Sequence, residues 1–270
     1  MALSVNSNIA SLNSQRQLAN STNELNTSYQ RLSSGKRINS ARDDAAGLQI
    51  SSRLTSQVNG LNQGSRNAND AISLAQTAEG ALDEYTNTVQ RMRTLAVQAS
   101  NGSNTEADLA ALDTEYSELE LELTRISEQA SFGGTSLLDS TYSANFQVGA
   151  DAGQTISISI SASFSATAIG AAGNLTTFAD AQSVITNLDS VLATVNSTRA
   201  DLGAKQNRFS SVIRSNDNAA ENVSASRSRI EDTDYAAESA TLARNSVLQQ
   251  AASSMLAQAN QQPQIALSLL

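Results

Sequence analysis

The chain has 270 residues with 17 basic and 26 acidic side chains, a net charge of −9, no histidine, no cysteine, one proline and 4% aromatic residues. Without thiols or imidazoles it has no route to disulfides, zinc ribbons, Ser-His-Asp catalysis or a histidine switch near neutral pH. An enzyme is not expected, nor a cofactor or metal, and an acidic chain has no electrostatic basis for binding nucleic acid.

The charge is uneven. Residues 1–66 carry seven basic against three acidic side chains, whereas 70–140 carry three against thirteen. The five bases from Arg16 to Arg42 read as a solvated helix face or a surface facing the acidic middle. Residues 1–15 contain no charged side chain, yet Leu3, Val5, Ile9 and Leu12 are spaced along them. They lack the basic start and continuous apolar run of a cleavable signal, so any export is expected to proceed without one. No stretch approaches the roughly 18 apolar residues of a membrane span.

From Leu54 an apolar seam runs through Val58, Leu61, Ser65, Ala68, Ile72, Ala75, Glu79 and Leu82. Alternating steps of three and four place one stripe along a helix, as in coiled coils. The turn Asn101-Gly102-Ser103-Asn104 ends this segment, and Thr105-Glu106-Ala107-Asp108 predicts a capping box opening a second helix. Its seam is Leu109, Leu112, Tyr116, Leu119, Leu123, Ile126 and Ala130, closed by Gly133-Gly134. Between 131 and 177 the period changes. Ile156-Ser157-Ile158-Ser159-Ile160 alternates at period two, and with Phe146-Gln147-Val148 predicts an antiparallel hairpin near 146–160.

The longest seam follows: Phe178, Ala181, Ile185, Leu188, Leu192, Val195, Arg199, Leu202, Gln206, Phe209, Ile213, Asn216, Ala220, Val223, Arg227 and Ile230. Its polar interruptions at Arg199, Gln206 and Asn216 are expected to set register. The C-terminal stretch 245–270 is again free of charge and carries Val247, Leu248, Met255, Leu256, Ile265, Leu267, Leu269 and Leu270. Frayed tails are the usual state of termini. Two neutral ends dotted with large apolar residues point instead to amphipathic helices that order against each other and against neighbouring subunits. The expected fold is mainly α: an elongated bundle of long coiled-coil helices from the N- and C-terminal parts, with a small central β-hairpin.

Other motifs carry little. Adjacent Asp43-Asp44 cannot converge on one substrate, Gly35-Lys36 lacks the first glycine of a phosphate loop, and the Asn-x-Ser/Thr matches follow from composition.

Several segments together resemble bacterial flagellins. They are Asn6-Ser7-Asn8-Ile9-Ala10-Ser11-Leu12, the run from Gln30 through Gly35-Lys36-Arg37-Ile38-Asn39 to Asp43-Asp44-Ala45-Ala46-Gly47-Leu48, Gln90-Arg91-Met92-Arg93-Thr94-Leu95-Ala96-Val97-Gln98-Ala99, Phe146-Gln147-Val148-Gly149-Ala150, and Gln258-Ala259-Asn260-Gln261-Gln262-Pro263-Gln264-Ile265. The resemblance covers nearly the whole chain apart from a variable stretch near 157–177. It implies a minimal, two-domain structural subunit of the flagellar filament: an inner terminal coiled-coil domain of 1–42 with 233–270, and a rod domain of 43–232. The alternative is a flagellin-like hook-filament junction protein. A metalloprotease insert, known in some flagellins, would need a histidine pair that this chain lacks.

The same resemblance implies an extracellular place in the bacterial flagellum, reached through the flagellar type III pathway. Its partners would be further copies in a helical homopolymer, an export chaperone at the C-terminal segment, and the cap and junction proteins. A host Toll-like receptor would meet Gln90, Arg91, Leu95, Gln98 and Glu115, residues expected to contact neighbouring subunits as well. Thr94 departs from the acidic residue often found there. Leu3, Val5, Ile9, Leu12 and the eight C-terminal apolar residues would form the polymerisation ends.

Overall fold

The structure, a computed structural model, describes the backbone of residues 7–268 and the side chains of residues 7–262. The elements in chain order are α1 (Ile9–Ser34), α2 (Ala45–Ala99), α3 (Glu106–Gln129), β1 (Ser131–Phe132), β2 (Thr135–Ser136), β3 (Tyr142–Gln147), β4 (Thr155–Ile160), α4 (Ala166–Ile169), α5 (Phe178–Glu231) and α6 (Tyr235–Ser268). The fold is mainly α with two small antiparallel strand pairs. The chain forms two compact units, one of residues 57–221 and a terminal one of 1–56 with 222–270. These divisions fall inside α2 and α5, whereas the motif-based boundaries were drawn at 42/43 and 232/233.

In the 57–221 unit the three-and-four spacing holds, with the buried stripe displaced by one residue at steps of α2 and of α5, where Val184 and Val191 are buried and the expected Ile185 and Leu192 only half-buried. Along α2 the buried apolar positions are Leu61, Ala68, Ala71, Leu74, Ala75, Ala78, Leu82, Tyr85, Val89, Met92, Leu95, Ala96 and Ala99. The expected seam took Ile72 and Glu79, which are only half-buried; Ala71 and Ala78 are fully buried in their stead. A methyl group fills a narrow step that isoleucine or glutamate would overpack. Helix α3 begins with the predicted capping box: the Thr105 hydroxyl accepts from the Asp108 backbone and the Asp108 carboxylate accepts from the Thr105 N–H. It buries Tyr116 and Leu123. The α5 stripe buries Ala181, Leu188, Val195, Leu202 and Phe209, while Phe178, at the first turn, is exposed.

The three polar interruptions of α5 all find partners. Arg199 meets Asp83 at 3.1 Å, Gln206 donates to Glu79 at 2.8 Å, and the buried amide of Asn216 donates to the Val148 carbonyl at 2.7 Å. Each bond ties α5 to one position along its neighbours, which is how polar seam residues specify register.

Strands β3 and β4 pair antiparallel, with Phe146 opposite Ile156 and Tyr142 opposite Ile160. Ile156, Ile158 and Ile160 are buried and the intervening Thr155, Ser157 and Ser159 exposed, as period-two alternation requires. The loop after β3 lies against α2 because Gly64 has no side chain: a Cβ there would stand 2.5 Å from the Val148 oxygen. Asn67 adds a bond to the Gln147 carbonyl at 2.8 Å. Gly133-Gly134 do more than end α3, since both take positive φ and turn the short hairpin β1–β2.

The variable stretch is a packed part of this unit. Phe164, Ala166, Ala171 and Leu175 are buried in the same core. Phe164 meets Tyr85 edge-on with ring centroids 5.6 Å apart. The side chains of Asp113, Tyr116 and Glu120 on α3 clamp residues 171–175: Leu175 N donates to Asp113 at 2.7 Å, the Tyr116 hydroxyl donates to Ala171 O at 2.6 Å, and Gly173 N donates to Glu120 at 2.7 Å. Burial raises the Glu120 carboxyl pKa above its usual value, with the Gly173 N–H acting in the opposite sense.

Candidate assembly surface on the terminal helix pair

The terminal unit is built on α1 and α6, which run antiparallel. Asn8 donates to the Ala259 carbonyl at 2.6 Å, Ser11 to Asn260 at 2.7 Å and Gln249 to Thr22 at 3.2 Å, while Arg31 lies 3.6 Å from Glu238. Local chemistry sets the ends. Asn8 caps α1 by accepting from Ser11 N at 3.0 Å, and Gly35 closes it at φ 72°. A Cβ on Gly35 would also approach the Tyr235 hydroxyl to 2.9 Å, so both the backbone and the space call for glycine. Asp234 opens α6 by accepting from Ala236 N and Ala237 N.

Both helices keep the alternating three-and-four period, but their buried residues are small or polar. On α1 the inward positions include Ser14, Leu18, Ser21, Leu25, Ser28 and Leu32; on α6 they are Glu238, Leu242, Asn245, Gln249, Ala252, Leu256 and Ala259. Of these only Ser21, Ser28, Asn245, Ala252 and Ala259 are fully buried. The five leucines among them are half-buried, and other large apolar side chains point outward: Ile9 is 65% exposed, Leu12 57%, Val247 65%, Leu248 40% and Met255 63%. A mainly apolar groove of about 400 Å³ lies beside them, between Asn13, Ser14 and Gln17 of α1 and Leu248, Ala251, Ala252 and Met255 of α6.

Of the sequence-derived polymerisation residues, Ile9, Leu12, Val247, Leu248 and Met255 thus fall on one exposed pair of helices, and Leu256 is half-buried at the seam. Leu3, Val5, Leu269 and Leu270 lie outside the described residues. Ile265 and Leu267 fall in the last turns of α6, with their side chains outside the described set.

A joint that the sequence reading missed holds the two connectors of this unit. Arg37 N donates to Glu231 O at 2.7 Å and Thr233 N to Gly35 O at 3.0 Å, so segments 35–37 and 231–233 are stapled through their backbones. The Glu231 carboxylate, 11% exposed, receives both the Lys36 ammonium and the Ser51 hydroxyl. These two bonds, helped by the charges of Lys36 and Arg227, hold its pKa below the ordinary 4.5. Asp43 accepts from Asn39 N at 3.1 Å and Ser40 N at 2.9 Å, closing the turn before α2, and its pKa is lowered by those N–H groups. Asp44 accepts from Gly47 N at 2.8 Å as the cap of α2. The Asp43-Asp44 motif is therefore two separate backbone devices. Glu231 directly follows the last seam residue, Ile230, and nothing in that local pattern marks partners so distant in sequence.

In the 57–221 unit, Gln90, Arg91, Gln98 and Glu115 are exposed. Arg91 reaches one oxygen of Glu115 through both Nε and Nη2, the former at 2.9 Å. The expectation for Leu95 is corrected: it is 1% exposed and belongs to the core. It lies on the same inward side of α2 as Met92, Ala96 and Ala99, so the outer face carries Arg91 and Gln98 without it.

Among the described residues no helix is long and apolar enough to cross a membrane, and no cluster of three or more His, Cys, Asp or Glu could hold a metal.

Comparison with known proteins matches this arrangement. The bacterial flagellin N-terminal helical region matches residues 5–143, and the bacterial flagellin C-terminal helical region matches residues 185–270. A flagellin of Halalkalibacterium halodurans is 46% identical over 98% of this chain and 99% of its own length. Flagellin B of Vibrio cholerae is 38% identical over the full length of both chains. That alignment spans 375 positions, more than the 270 residues present here, so the Vibrio protein carries residues this chain lacks. The crystal structure of Bacillus cereus flagellin superposes with a TM-score of 0.52 at 33% identity, covering 56% of this chain and 88% of that one. A Vibrio parahaemolyticus chain described as a flagellar hook-associated protein shares the fold alone, with a TM-score of 0.61 at 16% identity, over 70% of this chain and the whole of that one. The chain belongs to the bacterial flagellin family, the structural subunits of the extracellular flagellar filament.

Proposed function

We propose that α1 and α6 form the filament core and that residues 57–221 form the rod domain, with polymerisation driven by burial of Ile9, Leu12, Val247, Leu248 and Met255 against neighbouring copies. The observation that carries this reading is the pattern of the terminal pair: Ile9, Leu12, Val247, Leu248 and Met255 face outward, while the inward stripe interleaves half-buried leucines with serine, asparagine and alanine and holds no fully buried large apolar residue. Each outward side chain that loses its water contributes on the order of 1.5–3 kcal/mol, which offsets the entropy of ordering the ends. Contacts between unlike faces that repeat without closing generate a helical polymer.

The uncharged C-terminal segment is the docking site for an export chaperone, and the chain travels through the flagellar type III pathway before meeting the cap and junction proteins. The exposed group Gln90, Arg91, Gln98 and Glu115 serves subunit contacts and a host Toll-like receptor, with Leu95 supporting it from beneath.

The test is seeded elongation. Sheared filaments are mixed with purified chain lacking residues 245–270, and lengths are read by electron microscopy. No growth is expected, with α2, α3 and α5 still helical by circular dichroism. Normal filaments from the truncated chain would overturn the reading. Unchanged receptor signalling after Arg91→Ala with Glu115→Ala would overturn the receptor assignment alone.

A further inference from the structure

Asn-Gly occurs twice in the chain, at Asn59-Gly60 and Asn101-Gly102. In such a pair the backbone nitrogen of the glycine can attack the asparagine Cγ, because glycine has no Cβ to obstruct the approach and leaves the backbone free to rotate. The attack requires a nitrogen that is not held by a hydrogen bond and a peptide that can turn. Gly60 lies in the interior of α2, where its N–H belongs to the helical ladder. A Cβ there would stand 2.8 Å from the Ala150 Cβ, so its backbone is closely packed as well. Gly102 lies in the exposed turn between α2 and α3. Its N–H donates to nothing among the described residues, and its Cβ position opens on unoccupied space.

The other described asparagines outside helices and strands differ on this point. The N–H groups that follow Asn8, Asn39, Asn104 and Asn174 donate to Ser7 O, Asp43, Asp108 and Asp113 respectively. At Asn101 the side chain is also folded toward the free nitrogen. Its Oδ1 accepts from Ser103 N at 3.3 Å, which closes it over the Gly102 peptide, while Asn104 N donates to Asn101 O at 3.2 Å and holds the turn. The Ser103 N–H thus points at the oxygen that gains negative charge when Cγ is attacked, a placement that stabilises an oxyanion.

We propose that Asn101-Gly102 is a self-modifying site, at which Asn101 deamidates through a cyclic imide while Asn59 is spared in the folded chain. Hydroxide removes the Gly102 N–H proton, the nitrogen bonds to Asn101 Cγ, and the Cγ–Nδ2 bond breaks with release of ammonia. Water then opens the imide at either carbonyl. Opening at Cγ leaves aspartate, whereas opening at the backbone carbonyl leaves an isoaspartyl link in which the main chain runs through Cβ and Cγ. Water is the co-reactant and nothing is oxidised or reduced. Either product adds a negative charge beside Gln98, whose carbonyl accepts from Asn101 N at 3.1 Å.

The experiment incubates the full-length chain in mildly alkaline buffer, folded and in denaturant. Peptide mass spectrometry and an isoaspartyl methyltransferase assay follow conversion at each asparagine. The folded chain should convert Asn101 about tenfold or more faster than Asn59. Denaturant should bring the two sites to similar rates, and mildly acidic buffer should slow both, since the attacking nitrogen must lose its proton. Gly102→Ala adds a methyl group that meets no other atom and should slow conversion of Asn101 by about tenfold or more, with helix content unchanged by circular dichroism. Equal conversion of Asn59 and Asn101 in the folded chain would overturn the proposal. So would an Asn101 that reacts only in denaturant, or a Gly102→Ala variant that converts as fast as wild type.

Discussion

The two units use the same three-and-four spacing and fill it with opposite chemistry. Every large side chain that is less than 2% exposed among the described residues, including Tyr85, Tyr116, Phe164, Phe209, Leu82, Met92 and Leu123, lies between 57 and 221. In the terminal unit the buried apolar residues are Ile38, Ala252 and Ala259, while Ile9, Leu12, Val247 and Met255 are more than half exposed. Period decides that helices pair; residue size and polarity on the inner stripe decide whether the pair is stable by itself. The 57–221 unit has the core of an autonomous domain. The terminal pair resembles half of an interface.

The sharpest way to break this contrast is to damage the core of the 57–221 unit. Leu82→Ala, at a position of 0% exposure, should destabilise the 57–221 unit by about 3 kcal/mol, the usual cost of a buried leucine cavity. Denaturant unfolding followed by amide exchange on α2 and α3 checks it, and the terminal pair should register none of the loss directly.

Next in size is the joint of the terminal unit. Glu231→Ala leaves the Ser51 hydroxyl and the Lys36 ammonium without their acceptor and should cost about 2 kcal/mol. The Coulombic share is small because the Lys36 side chain is 53% exposed. Faster amide exchange at 35–37 and 231–233 is the expected readout. The pH dependence follows from the lowered carboxyl pKa. A depressed folded-state pKa means that the contribution is complete above the unfolded value near 4.5 and is lost as pH falls through the folded one. Glu231→Gln should therefore flatten the acid side of the exchange profile at these segments.

Smaller effects sharpen the comparison further. The Tyr85 hydroxyl is buried without a partner, and burial pushes its pKa well above the ordinary 10. Tyr85→Phe keeps the ring against Phe164 and removes an unsatisfied group, so unfolding should shift by less than about 1 kcal/mol, toward greater stability. Arg91→Ala removes a pair that is 54% and 44% exposed at its two ends and should change stability by no more than about 0.5 kcal/mol. A large loss there would mean that the pair holds α2 to α3, leaving less room for a contact role.

Much of the fold is legible in the sequence, because long helices with regular seams and a strand of alternating isoleucine leave a strong periodic signal. The capping box at Thr105 and the buried face of β4 follow directly from residue types at fixed offsets. What the sequence hides is which side of an apolar stripe faces in. On α2 the choice between Ala71 and Ile72 reverses the usual preference for the larger residue, because packing rewards a small side chain at that step. On α1 and α6 the terminal apolar residues that draw attention, Ile9, Leu12, Val247 and Met255, are exposed, and the fully buried positions of the seam are serines, an asparagine and alanines set between half-buried Leu18, Leu25, Leu32, Leu242 and Leu256. Leu95 shows the converse: a motif placed it among contacts, whereas helix phase turns it into the core. The Glu231 joint pairs residues 180 and 195 positions apart, and a local pattern carries no trace of it.

The central claim is that the terminal pair depends on assembly while the 57–221 unit does not. Amide hydrogen exchange on the wild-type chain, free and in sheared filaments, tests it most directly. The account predicts weak protection of α1 and α6 in the free chain, strong protection of the same amides in filaments, and protection of α2, α3 and α5 within 57–221 that is similar in both. Free-chain amides of α1 and α6 that exchange as slowly as those of α3 would contradict it.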